Sequence, residues 1–177
     1  ADEVITGFGR TGNMFGSTTF GIEPDVMVIS KQMASSYIPI AAILMNETFY
    51  APIADESSRI GVFGHGYTAS GHPVATAVSL ENIKIIEERD LVGNCRRLSP
   101  QFLAHLDELA RHPKVKLRRG VGLIGALELH PEGEPGKAGA AMAAAALEEG
   151  VIGRSVGDAF CLCPPLIITA DEIDEMF

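Results

Sequence analysis

The chain has 177 residues, 46% of them hydrophobic, enough to bury the core of one large domain or two small ones. A formal net charge of −9, with the basic residues scattered or paired with acids, argues against a general nucleic-acid binder. The longest apolar run, IPIAAILM at residues 38–45, carries Pro39 and is too short to span a bilayer, and no charged-then-apolar leader opens the chain, so the expected partners are small molecules or other protein chains rather than a membrane.

In chain order, the opening ADEV has no capping or strand-starting signal, so the chain is expected to be a piece of a larger protein. Residues 5–16, ITGFGRTGNMFG, hold the G-x-G-x-x-G spacing at Gly7, Gly9 and Gly12. A dinucleotide fingerprint also needs a preceding strand, a helix opening at the third glycine, and an acid about 20 residues further on. The following NMFGSTTFG has no helical period, and Val28, Ile29, Ser30 and Lys31 stand where the acid belongs, so the segment reads as a loop that continues as a loop. Residues 24–31 (PDVMVISK) and 38–46 (IPIAAILMN) read as strands, the first buried.

Residues 73–89 predict a helix with Pro73 in its first turn and Val74, Val78, Ile85 and Ile86 on one face. Residues 99–113 predict another, with Ser99 as cap, Pro100 at the first helical position, a stripe of Phe102, Leu103, Leu106, Leu109 and Ala110, and Pro113 as terminator. GVGLIGALELH, residues 120–130, reads as one strand, and residues 130–139 as a surface loop. The alanine-rich stretch after Lys137 reads as a helix ending at Gly150, followed by two strands joined at Gly157-Asp158 and a capping box, Thr169 with Glu172, that opens a last helix. Alternating strands and helices imply an α/β fold, and a composition shift at residues 91–99 suggests two domains, 1–95 and 96–177.

Lys31 closes a strand, and in open α/β sheets ligands bind outside the carboxyl ends of the strands. A partly desolvated lysine there can act as an amine nucleophile toward a carbonyl, although most lysines at strand ends are merely solvated. Asp2 stands where a neighbouring strand would end, and a carboxylate opposite a pyridine nitrogen keeps that nitrogen protonated. FGHGYTASGHP, residues 63–73, offers Gly64, Gly66 and Gly71 with Tyr67, Thr68 and Ser70, the makings of a neutral phosphate cup. A lysine, an acid and a phosphate cup are the three parts of a pyridoxal phosphate site.

DEVITGFGRTG, PDVMVISKQMASSYIPIAA, GHGYTASGHPVATA, RGVGLIGALEL and CPPLIIT, in this order, resemble the carboxyl-terminal half of the class III pyridoxal-phosphate-dependent aminotransferases, closest to the omega-transaminase or amine:pyruvate branch. The resemblance implies fold type I, with residues 1–95 completing the cofactor domain and residues 96–177 forming most of a small α+β domain. It implies that Lys31 forms the Schiff base with pyridoxal 5'-phosphate and shuttles the substrate proton, that Asp2 partners the pyridine nitrogen, and that Val4 packs on the ring. Tyr67 and Thr68 match the segment that reaches the neighbouring subunit's cofactor phosphate in a homodimer, and Arg154 matches a mobile arginine that pairs with a substrate carboxylate. The glycine-rich segment becomes a structural loop near the active site. The implied reaction is ping-pong transamination between an amine and a keto acid such as pyruvate; a decarboxylase or aminomutase of the same class, and a catalytically silent piece, stay open as alternatives.

The departures are Ile5, where other branches carry glutamine, Gln32 and Ser36, where the family more often has glycine, and the absence of the family's upstream half. Glu3 alternates away from Asp2 and reads as structural. His65 and His72 lack the clustered partners of a metal site and read as loop hydrogen bonders or cofactor neighbours; His105 and His112 read as solvated. Arg10, Arg118 and Arg119 are expected to pair with acids, and Arg10 also to help hold a dimer. The cysteines, Cys95, Cys161 and Cys163, form an odd, sparse set that suggests a reducing, cytoplasmic location, with Cys161 and Cys163 as small apolar side chains on one strand face.

Overall fold

The computed structural model describes residues 1–177, which divide into two compact bodies: Ala1–Gly9 with Asn13–Asp90, and Arg10–Gly12 with Leu91–Phe177. In the first body, Asp2 makes a parallel bridge to Val28, flanked by hydrogen bonds of 2.9 Å from Glu3 N to Val28 O and from Val28 N to Ala1 O. Helix α1 (Gly16–Phe20) closes at Gly21 with φ 64°. This single turn corrects the expectation of continuous loop after Gly12; it is too short to show an apolar period. Strands β1 (Val26–Ile29) and β2 (Ala42–Met45) pair antiparallel, Val26 opposite Met45 and Ile29 opposite Ala42, with a 3-10 turn over Lys31–Met33 between them. Of β1, only Ile29 is fully buried; Val28 is 37% exposed.

Helix α2 (Glu47–Ile60) has no counterpart among the predicted elements. Pro52 interrupts its pattern and none of its residues is fully buried, so neither propensity nor period marks it. The Asn46 side chain starts it by accepting from Phe49 N. Helix α3 (Pro73–Glu88) has Pro73 in its first turn, as expected, but buries Ala75, Ser79 and Ile86. Val74, assigned to the buried face, is 55% exposed. The buried face takes Ala75 and Ser79 beside Ile86 because close packing, not hydrophobicity alone, selects the face.

In the second body, α4 (Leu91–Leu109) begins at Leu91 rather than Ser99, so Ser99 is no cap and Pro100 lies inside the helix. Leu91, Cys95, Phe102 and Leu106 form one buried stripe running through the proline. An interior proline costs about 3 kcal/mol, while burying each large apolar side chain contributes roughly 1.5–3 kcal/mol, so the stripe outweighs the break. Strand β3 (Val115–Val121) and strand β4 (Ile124–Leu129) replace the single predicted strand. They form a hairpin through Gly122, φ 59°, where a Cβ would lie 2.3 Å from Arg10 O. Lys116, Arg118 and Arg119 hide β3 from hydrophobic patterning; Arg118 pairs with Asp107 through two hydrogen bonds and Arg119 with Glu128.

Helix α5 (Lys137–Glu148), strand β5 (Arg154–Val156) and strand β6 (Ala159–Leu162) follow as expected, with Gly157 at φ 58° between the strands. The sheet runs β3-β4-β6-β5, antiparallel throughout, with α4 against β3 and β4 and α5 against β4, β5 and β6. Cys161 lies on β6, but Cys163 falls beyond the strand and is exposed, so the two do not share a strand face. Cys95 is buried, and burial pushes its thiol above the usual range. The capping box opens α6 (Ala170–Met176). His105, expected to be solvated, instead sits 2.7 Å from Asp174 and stacks on Phe177 with ring centroids 4.9 Å apart. The His105 and Gln101 hydrogen bonds hold the Asp174 carboxyl below its ordinary range.

A Cβ on Gly139 would lie 2.3 Å from Gly157 O. Gly139→Ala is therefore expected to destabilise the protein by about 1–3 kcal/mol through overpacking, against the gain of about 1 kcal/mol that helix propensity alone would give. An unchanged or raised urea midpoint would show that α5 and the Gly157 turn have room to separate.

Candidate active site

Lys31 stands where β1 ends, and its backbone takes φ 41°. A non-glycine residue in this region costs on the order of 1–3 kcal/mol and persists where its surroundings over-determine it. Met33 N bonds to Ser30 O at 2.9 Å and Ala34 N to Lys31 O at 3.1 Å, and the Met33 and Ala34 side chains are buried. Asn82 on α3 donates through Nδ2 to Gln32 O at 2.7 Å and Met33 O at 3.2 Å. Ser35 Oγ donates to Asn82 Oδ1 at 2.8 Å and accepts from Gln32 Nε2 at 2.9 Å. Gln32, a departure from the family pattern, thus helps to close the turn. Ser36, the other departure, takes φ 61°, a conformation glycine adopts without strain. Asn82 was not singled out from the sequence; its signal is an amide three residues after buried Ser79, on the same face of the helix.

The bridge to Val28 puts Asp2 beside β1, and Lys31 lies three residues beyond Val28 on that strand. At about 3.3 Å per residue this separates the two positions by roughly 10 Å along the strands. Both occupy the same end of neighbouring parallel segments, and both are exposed. Asp2 Oδ1 accepts from Val4 N at 3.0 Å. Val4 is half-buried in the turn that follows, and Ile5 is 48% exposed.

Glu3 points the other way and is 2% exposed. Its carboxylate accepts from Gly16 N at 2.9 Å, from Ser17 N at 2.6 Å and from the Thr6 hydroxyl. Phe15 offers no side-chain cap to α1, so Glu3 supplies it from outside the helix. Burial pushes the Glu3 carboxyl up, but the hydrogen bonds from Thr6, Ser17 and Gly16 outweigh it and leave the group below the ordinary value of 4.5.

The glycine-rich loop spends its amides internally: Phe8 N and Gly9 N both donate to Met14 O, at 2.6 and 3.3 Å, and Gly7 N donates to Glu3 O at 2.9 Å. These three amides are not available to cradle a pyrophosphate. Arg10, expected to pair with an acid, is 8% exposed and donates through Nη1 to the carbonyls of Leu123 at 2.9 Å and Pro164 at 2.5 Å. In the second body a guanidinium thus satisfies backbone acceptors, a task for which its several fixed donors suit it.

Tyr67 and Thr68 lie in the loop before α3, Tyr67 at φ 41° and 59% exposed. The loop's bonds are local: His65 N to Phe63 O at 2.8 Å, Ser70 N to Tyr67 O at 2.7 Å, and the His65 and Tyr67 rings 3.6 Å apart. A Cβ at Gly64, Gly66 or Gly71 would meet nothing within 4 Å. His72 caps α3, its Nδ1 accepting from Val74 N. Arg154 lies on β5, an edge of the second body's sheet, exposed and paired with no carboxylate. A groove of about 420 Å³ in that body, walled by Leu109, Leu127, Leu129, Ala141 and Met142, contains none of these residues.

Aminotransferase class-III is the family whose profile matches this chain, over residues 1–177, and the chain belongs to that family. Its mixed α/β fold is that of the fold-type I pyridoxal phosphate transferases. A solved transaminase with L-alanine superposes with a TM-score of 0.97 at 54% identity, over 99% of this chain and 43% of its own. The omega-transaminase of Pseudomonas jessenii in complex with PMP gives 0.95 at 52% identity, over 99% and 40%. The uncharacterised aminotransferase y4uB of Sinorhizobium fredii is 44% identical over 99% of this chain and 40% of its own length. The gamma aminobutyrate transaminase 1 of Solanum lycopersicum, a mitochondrial protein, is 40% identical over 99% and 36%. The chain thus spans about 40% of the length of such relatives.

Asn82→Ala removes the donor to two carbonyls of the turn and is expected to lower stability by about 1–3 kcal/mol, read as a lower urea midpoint. The lowered Glu3 value gives a pH dependence. Its stabilisation is full above 4.5 and is lost as pH falls through the lower folded value, so Glu3→Gln should flatten the acid limb of a melting-temperature profile below pH 4.5.

Proposed function

We propose that the protein containing this chain is a transaminase that moves an amino group from an amine or amino acid to a keto acid such as pyruvate in a ping-pong cycle. The observation that carries this reading is the placement of Lys31 and Asp2 at one end of neighbouring parallel segments, with Lys31 held in a strained backbone by a hydrogen-bonded turn. The donor set suits pyridoxal phosphate: one amine and one carboxylate, both exposed at a strand end, with hydroxyls in a glycine-rich loop farther along the chain. When bound, that cofactor supplies a carbonyl that amines join and a protonated ring that draws off electrons.

Lys31 Nζ would hold the cofactor and, once displaced from it by the incoming amine, would take a proton from the substrate carbon and return it. The Asp2 carboxylate keeps a proton on the ring nitrogen by its charge, and the Val4 amide orients it through Oδ1. Val4 would lie against the ring. Tyr67 and Thr68, exposed in an open loop, serve the phosphate of a partner protomer in a homodimer with shared sites. Arg154, exposed and free of acids, receives a substrate carboxylate. Residues 1–95 complete the cofactor domain and residues 96–177 belong to the small domain. Three free cysteines support a reducing, cytoplasmic setting.

In the full-length protein, borohydride reduction with pyridoxal phosphate is expected to label Lys31, and Lys31→Ala to lower kcat by at least about 100-fold. Arg154→Ala should raise KM for a keto acid about tenfold, the equivalent of one charge-assisted hydrogen bond, and leave an amine without a carboxylate nearly unaffected. Label on another lysine would sink the assignment.

A further inference from the structure

We propose that Glu3 is a positioning residue for Asp2: its buried carboxylate ties the strand end carrying Asp2 to the start of α1 and so sets where the Asp2 carboxylate sits. This rests on the reading that Asp2 faces the cofactor's ring nitrogen.

Glu3 is a buried acid whose hydrogen-bond partners, Thr6, Gly16 and Ser17, are all neutral. Taking a carboxylate out of water costs several kcal/mol, and a five-residue helix could be capped without that cost by a serine or asparagine at Phe15. What the charge adds is grip, because hydrogen bonds to an ionised acceptor are about twice as strong as neutral ones. The Glu3 amide bonds to Val28 O on the β1 side and its carboxylate bonds to α1, so the residue between Asp2 and Val4 is anchored in both directions.

Those neighbours in turn define Asp2. Oδ1 is held by the Val4 amide, and Oδ2 engages no protein donor. Moving Glu3 would shift the Asp2 Cα on one side and the Val4 N–H on the other. The surroundings leave no slack: a Cβ on Gly7 would lie 2.7 Å from Glu3 O, and one on Gly16 would lie 2.8 Å from Thr6 Cβ and 3.2 Å from Glu3 Oε2. The first glycine of the G-x-G-x-x-G spacing thus lets the chain close around Glu3 rather than around a nucleotide.

The test uses the full-length holoenzyme loaded with pyridoxal phosphate labelled with nitrogen-15 in the ring. Glu3→Gln turns an amide NH2 toward donors, and Thr6→Val removes one donor while sparing the carboxylate. Both variants are expected to keep the borohydride label on Lys31, to move the ring-nitrogen resonance toward its unprotonated position, and to lower kcat with KM unchanged within about threefold. The loss should be about 10- to 100-fold for Glu3→Gln, as for a catalytic group misplaced by around 1 Å, and smaller for Thr6→Val. If Glu3→Gln does not fold, Thr6→Val decides alone. Wild-type resonance and kcat in the folded variants would overturn the proposal. Asp2→Asn separates the two readings: if it moves the resonance and the Glu3 and Thr6 variants do not, only the role of Glu3 fails, whereas an unmoved resonance in Asp2→Asn defeats the reading of Asp2 and the proposal with it.

Discussion

The bridge between Asp2 and Val28 is the contact on which the candidate site depends. Two backbone hydrogen bonds of 2.9 Å set the register of the opening segment against β1, and a slip of one residue would exchange the exposed Asp2 for the buried Glu3. With register set, the rest is local. Asp2 faces outward at the end of one segment, and Lys31 follows from the end of the next. The turn after Lys31 is closed by Asn82 from α3, so the backbone strain at Lys31 is balanced by bonds reaching in from a helix far along the chain. The site is therefore a property of a pleat and a turn, both assembled from segments separated in sequence.

The two adjacent carboxylates show how environment divides identical chemistry. Asp2 is exposed, with one oxygen on a neighbouring amide and one free; Glu3 is enclosed by donors. Strand alternation sends them to opposite sides, and the glycines at positions 7 and 16 make the enclosure of Glu3 tight. The same economy explains Arg10, buried in the second body on backbone carbonyls where an acid had been expected. A guanidinium with several fixed donors can satisfy carbonyls left over at loop ends without a compensating anion.

Much of this was legible in the sequence where a local signal was strong. The capping box at Thr169, the Gly157 hairpin and the ends of α3 and α5 all come from short-range chemistry. The family followed from the resemblance carried by five motifs in order. The errors have a common cause. Pro100 reads as a helix start because an interior proline is unfavourable locally, yet α4 runs through it since Cys95, Phe102 and Leu106 share one buried face. Pro52 hid α2 in the same way, and the charges of β3 hid an edge strand. Asn82 escaped because a single amide on a helix gains meaning only from the carbonyls placed opposite it.

By itself, then, the amino-acid sequence determined the family and those elements whose ends carry their own caps and turns. Only the tertiary structure decided that Lys31 takes a left-handed backbone, that Glu3 rather than a local cap starts α1, and that Arg10 serves carbonyls instead of acids. The division follows from range. Caps, turns and periodicity act over a few residues and can be read along the chain, whereas burial and hydrogen-bond satisfaction depend on groups many positions apart that meet only when the chain has folded.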